Sequence, residues 1–160
     1  MSTYRVPGPC VVWYGTPTPK SLGVTKAGVT IRSRTAWSPM TDDAHGTEPA
    51  DYIYTGRAAQ VEVPALDIVL VELAAIWDAC GGLLGFGGIS AIGNFASALG
   101  QQLNIVERAG AYTWTALKAV PLDPDTLLLA ATSELAIPIT FLIVPDANGK
   151  LFSTLPSYIL

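Results

Sequence analysis

The sequence predicts a mainly β fold of the α+β class, a β-sandwich or open barrel with one α-helix packed against it. Three observations predict it. Several segments alternate apolar and polar residues with period two, one segment repeats its apolar residues with the helical period, and an Asn148-Gly149 pair, a strong hairpin signal, follows an apolar run.

Residues 7–23 are rich in Pro and Gly around a short apolar run, Cys10 to Tyr14, which suits an N-terminal arm (residues 1–23) or an edge strand better than a helix. In Gly28 to Arg34, Val29 and Ile31 alternate with Thr30 and Arg32, the pattern of a strand with one wet face. Residues 35–50 turn polar and carry Asp42, Asp43, His45, Gly46, Glu48 and Pro49, which predicts a long exposed loop. Strand character resumes at Asp51 to Thr55 and again at Ala59 to Val63, where Val61 and Val63 alternate with Gln60 and Glu62. Gly56 marks a bend or bulge between them.

After Pro64, Leu66, Val69, Leu70, Leu73, Ile76 and Trp77 recur at i, i+3, i+4, i+7, i+10 and i+11. This predicts a helix that covers one face of the sheet and ends at Gly81-Gly82. Residues 79–106 carry no charge, a length that raises the question of a membrane span. Seven glycines and Ser90, Asn94, Ser97, Gln101 and Gln102 dilute that apolar character, so the preferred reading is a loop leading to a short helix or strand. Thr113, Thr115 and Leu117 interleave with Trp114, Ala116 and Lys118 as a further strand before a turn at Pro121 to Asp125. The apolar run Glu134 to Val144 is then joined through Asn148-Gly149 to Lys150 to Leu155 as a hairpin.

A chain of 160 residues fits one domain with its own core. Half of its residues are hydrophobic and only 14% are charged, leaving apolar surface that either meets a partner or invites aggregation. The net charge of −4 argues against a domain that grips phosphate backbones. Cys10 and Cys80 form no CxxC pair; they read as buried free thiols, with a bridge between them as the alternative. The N-terminus lacks the apolar core of a signal peptide, and synthesis and folding are read as cytoplasmic.

Signatures of chemistry are near misses. Ser90 follows Gly88 at nucleophile-elbow spacing, but position 92 is Ile and the glycine comes at 93. The run Gly85, Gly87, Ser90 fails the dinucleotide fingerprint at its third glycine, and no GxxxxGK[ST] loop occurs. The cluster Asp42, Asp43, His45, Glu48 and Asp51 offers hard oxygen ligands and the chain's one histidine, yet lacks calcium-loop spacing. It reads as a solvated loop ahead of a metal site or an acid/base pair. No enzyme activity and no cofactor are expected.

Four stretches taken in order resemble the major tail tube proteins of long-tailed bacteriophages. They are Gly15-Thr16-Pro17 with Leu22 to Thr30; Pro49-Ala50-Asp51 with Thr55-Gly56; the strand-to-helix passage Val61 to Leu73; and Ile137 to Phe141 with Asp146 and Gly149 to Phe152. The family commonly has two glycines where Lys26-Ala27-Gly28 stands, and the segment from Gly81 to Gly100 matches no motif of it. The resemblance implies a β-sandwich or barrel flanked by a helix, in homohexameric rings stacked into a hollow tube through which DNA passes unbound. It implies a virion location in the phage tail, other tail proteins as partners and no membrane. On that basis Gln60 and Glu62 are candidate lumen residues of an acidic inner face, with Arg32 and Arg34 ion-paired or turned away. The 35–50 loop, with Asp42, Asp43, His45 and Glu48, becomes the inter-ring contact and the Pro-rich arm a second one. Competing readings are a single-ring component (a distal tail or tube-terminating protein), a membrane-active protein using residues 79–99, and a metal-dependent enzyme at residues 42–51.

Overall fold

The computed structural model describes residues 2–15, 19–66, 95, 98, 100–107, 113–122 and 137–153. Their regular structure is almost entirely strand: β1 (Ser2–Val6), β2 (Cys10–Tyr14), β3 (Lys20–Thr25), β4 (Val29–Met40), β5 (Asp51–Leu66), β6 (Gln101–Glu107), β7 (Thr113–Pro121) and β8 (Ile137–Ile143). The strands form one antiparallel sheet in the order β1-β4-β5-β3-β2-β6-β7-β8, and a further β5–β8 pairing joins its end back to β5. Strands β5, β3, β2, β6, β7 and β8 therefore close into a ring, and β4 and β1 extend from β5. Closure removes sheet edges around the core.

Period-two patterning decides what the ring encloses. Cys10, Val12 and Tyr14 of β2, Val61 and Val63 of β5, Leu103 and Ile105 of β6, and Ile139 and Phe141 of β8 are all buried, while the residues between them are more exposed. Tyr14 and Phe141 lie at the centre with ring centroids 5.0 Å apart. The Tyr14 hydroxyl donates to the Ala119 carbonyl at 3.0 Å, so the phenol enters the core without an unsatisfied polar atom. Cys10 is a free thiol in that core, and burial, reinforced by Glu107, pushes its pKa up. Such a thiol is inert as a nucleophile.

Several expectations are corrected. The segment Cys10–Tyr14 is neither an arm nor an edge, because β2 lies between β3 and β6 and contributes Val12 and Tyr14 to the core. Pro7, Gly8 and Pro9 act instead as the turn from β1 into β2. Gly8 and Gly28 pack backbone against backbone, and a Cβ on Gly28 would collide with the Val6 carbonyl oxygen. Gly28 also has a φ of +85°, so both the close approach and the backbone conformation select glycine there.

Leu66, the first residue of the expected helix, is instead the last residue of β5 and pairs with Val24. Val69, Leu70, Leu73, Ile76, Trp77 and Cys80 lie outside the described residues. The end of the uncharged stretch, Gln101 to Val106, is strand β6; residues 79–94 lie outside the description. No helix among the described residues is long and apolar enough to cross a membrane.

The Asn148-Gly149 turn forms, but among the described residues no ladder strand follows it. Asp146 Oδ1 accepts from the backbone N–H groups of Asn148 and Lys150, each at 2.8 Å, and closes the turn. The chain then crosses to β7, where Ser153 N–H donates to the Thr115 carbonyl at 2.8 Å and Phe152 meets Trp114 edge-on at 5.7 Å.

Candidate assembly interface

The two longest strands, β4 and β5, pair from Thr30–Glu62 out to Met40–Asp51, which leaves only residues 41–50 as loop. Residues 35–40, expected in a long loop, are strand. Polar composition concealed a period-two pattern in Trp37 and Pro39 on one strand and Tyr52 and Tyr54 on the other. The register slips between Ala36 and Trp37, so Thr55 is the extra residue of a β-bulge next to Gly56, as that glycine predicted.

Support for this hairpin ends abruptly. β1 pairs with β4 only at residues 29–33, and β8 pairs with β5 only at residues 59–65. Beyond Ser33 and Ala59 every residue of the hairpin is exposed, apart from half-buried Gly56. At about 3.3 Å per residue, the strand from Arg34 to Met40 carries the tip on the order of 20 Å past the core.

Alternation along β4 makes the side that holds Val29, Ile31 and Ser33 in the core continue outward as Thr35, Trp37 and Pro39. Their partners on β5 are Arg57, Tyr54 and Tyr52. The core face thus runs on as an uncovered aromatic strip, with Trp37, Tyr52 and Tyr54 57%, 56% and 51% exposed. Trp37 and Tyr54 stack edge-on at 5.2 Å. On the opposite side Met40 and Ile53 are also about half exposed, adding apolar surface.

At the tip, Asp42 Oδ1 accepts from the N–H groups of Ala44 at 3.0 Å and His45 at 2.8 Å, and faces His45 Nδ1 at 2.7 Å. The hydrogen bond to the His45 side chain, then the one from its backbone, holds the Asp42 carboxyl below its ordinary pKa. Asp42 and His45 therefore build the turn, and Asp43 and Glu48 stand exposed beside it. Among the described residues no group of three or more His, Cys, Asp or Glu is positioned to hold a metal ion.

Gln60 and Glu62 lie on the outward face of β5, away from the core, as their alternation with Val61 and Val63 predicted. The same face carries Thr30, Arg32 and Arg34 of β4 and Thr3 and Arg5 of β1. Arg32 Nη2 pairs with Glu62 Oε2 at 3.1 Å, the ion pairing expected of it. Arg5 and Arg34 are exposed and make no ion pair among the described residues. The acidity expected of this face is not found, since three arginines stand on it against one glutamate. Overall net charge concealed this, because the acidic residues of this region concentrate at the hairpin tip.

No protein-family model matches the chain, and no curated protein does.

Proposed function

We propose that the chain is a structural, self-assembling protein of the phage tail-tube type, whose copies form hexameric rings stacked into a hollow tube for the passage of DNA. The observation that carries this reading is the hairpin arm, with its aromatic face continuous with the core and uncovered in the single chain. An exposed apolar strip of this kind marks a contact surface, and a second copy is the partner that a self-assembling subunit supplies. The closed core supports the same reading, because the contact element extends from a sheet whose own strands close around that core. The arginine-bearing face of β1, β4 and β5 is better suited to a protein neighbour than to the path of DNA, since arginines grip phosphates.

Negative-stain microscopy of the purified chain at rising concentration tests the reading, with the Trp37→Ala/Tyr54→Ala double variant beside it. The parent is expected to form rings and tubes. The variant, altered only at exposed positions, is expected to keep its fold and fail to assemble. A parent that stays monomeric at high concentration overturns the proposal, and single rings that never stack would redirect it to a terminal ring of the tail.

A further inference from the structure

Charge is distributed along the β4–β5 hairpin with a clear polarity. Residues 35–56 contain no Lys or Arg and carry Asp42, Asp43, Glu48 and Asp51, all exposed. At the other end of the same strands, the outward face carries Arg5, Arg32 and Arg34 against Glu62 alone. One end of the element is acidic and the other basic, and they are separated by most of the arm.

The acidic tip cannot reach its own arginine face, because a two-stranded ladder paired from Thr30–Glu62 to Met40–Asp51, interrupted only by the bulge at Thr55, holds the ends apart. A second copy can bring its own face to the tip. We propose that the acidic tip of one copy docks on the outward Arg5–Arg32–Arg34 face of a second copy, head to tail. The contact joins two different patches, so a head-to-tail pair keeps one free tip and one free face, and the interaction propagates along an axis wherever the rotation between copies does not close a ring. Asp43 and Glu48 are the tip carboxylates free to pair, since Asp42 is engaged by Ala44 and His45. Arg5 and Arg34 are the corresponding cations, since Arg32 already holds Glu62. The aromatic strip between tip and root would be covered in the same contact. This inference rests on the self-assembly reading and names the surface that receives the arm.

Charge exchange on the full chain tests it, read by sedimentation and negative stain. Asp43→Lys/Glu48→Lys and, separately, Arg5→Glu/Arg34→Glu are each expected to raise the concentration needed for stacking at least about tenfold, the scale of a close charge pair. The milder Arg5→Gln/Arg34→Gln chain is expected to lie between these and the parent. Mixing the two reversed chains recreates an opposite-charge contact at every junction, so stacking should return, which a misfolded chain could not do. Stacking of the parent should also weaken with salt, as the Debye length contracts from ~10 Å at 0.1 M to ~3 Å at 1 M. Reversed chains that stack like the parent, or a mixture that restores nothing, would overturn the docking while leaving self-assembly standing. A parent that never assembles overturns both.

Discussion

The inner and outer halves of the β4–β5 hairpin share two strands and one antiparallel ladder, yet differ in everything else. At residues 29–33 and 59–65 the ladder is flanked by β1 and β8, and Val29, Ile31, Val61 and Val63 are buried. At residues 35–40 and 51–57 the same ladder has no flanking strand among the described residues, and Trp37, Tyr52 and Tyr54 are more than half exposed on the side that was core. An isolated two-stranded ribbon is marginal in water. The outer half therefore takes its register from the inner half, and its side chains are free to serve contact instead of stability. Separating the two roles along one element has consequences that substitution can measure.

The largest effect belongs to the inner half. Phe141 is fully buried, pairs in register with Val61 and packs on Tyr14. Phe141→Ala is expected to cost about 3–5 kcal/mol of unfolding free energy, read from urea titration, through lost transfer energy and the cavity left behind. Trp37→Ala, a truncation of similar size at a side chain 57% exposed, loses mainly the edge-on contact with Tyr54 and should stay within about 1 kcal/mol. Equal costs for the two would break the comparison.

A smaller effect separates two glycines that both have a positive φ. Gly28 has φ +85° at the base of β4 and Gly46 has φ +63° in the tip. A Cβ on Gly28 meets the Val6 carbonyl oxygen and the Gly8 backbone, whereas one on Gly46 meets nothing within 4 Å. Gly46→Ala should show the conformational cost alone, about 1–2 kcal/mol if the tip unfolds with the rest. It should show almost nothing if the tip rearranges by itself. Gly28→Ala adds a backbone collision and is expected to be the worse of the two in thermal unfolding.

Much of the sheet was legible because period-two alternation reports a buried face directly. Val29 and Ile31, and Val61 and Val63, followed from it, and the bulge followed from Gly56. Legibility failed where composition and pairing disagreed. Pro7, Gly8 and Pro9 suggested a loose arm, but β1 finds its partner at β4 and β2 one of its two at β6, both far away in sequence, which no local pattern encodes. Residues 35–40 looked like loop because exposed strands carry polar residues too, and only their pairing with residues 51–57 reveals them. The aromatic strip was visible as letters, yet its exposure depends on where β1 and β8 stop. The basic face was missed for a similar reason: Arg5 joins Arg32 and Arg34 only through the β1–β4 register.

The smallest expected effect lies at the far end of the arm. Hydrogen bonds from His45 lower the Asp42 pKa from its ordinary 3.8. A carboxyl depressed in the folded state contributes stability above its unfolded pKa, and that contribution is lost as pH falls through the folded value. The affected window therefore lies below pH 3.8. Asp42 is exposed, and its bonds to Ala44 and His45 close only the tip turn. The carboxyl titration followed by NMR should show Asp42 below its ordinary 3.8. His45→Ala should bring it part of the way back, the backbone bonds from Ala44 and residue 45 remaining. Acid unfolding of the barrel should not notice the substitution. A matching shift in the barrel's acid transition would mean that the tip is coupled to the core through the ladder, and the arm would then be part of the folding unit and not an extension of it.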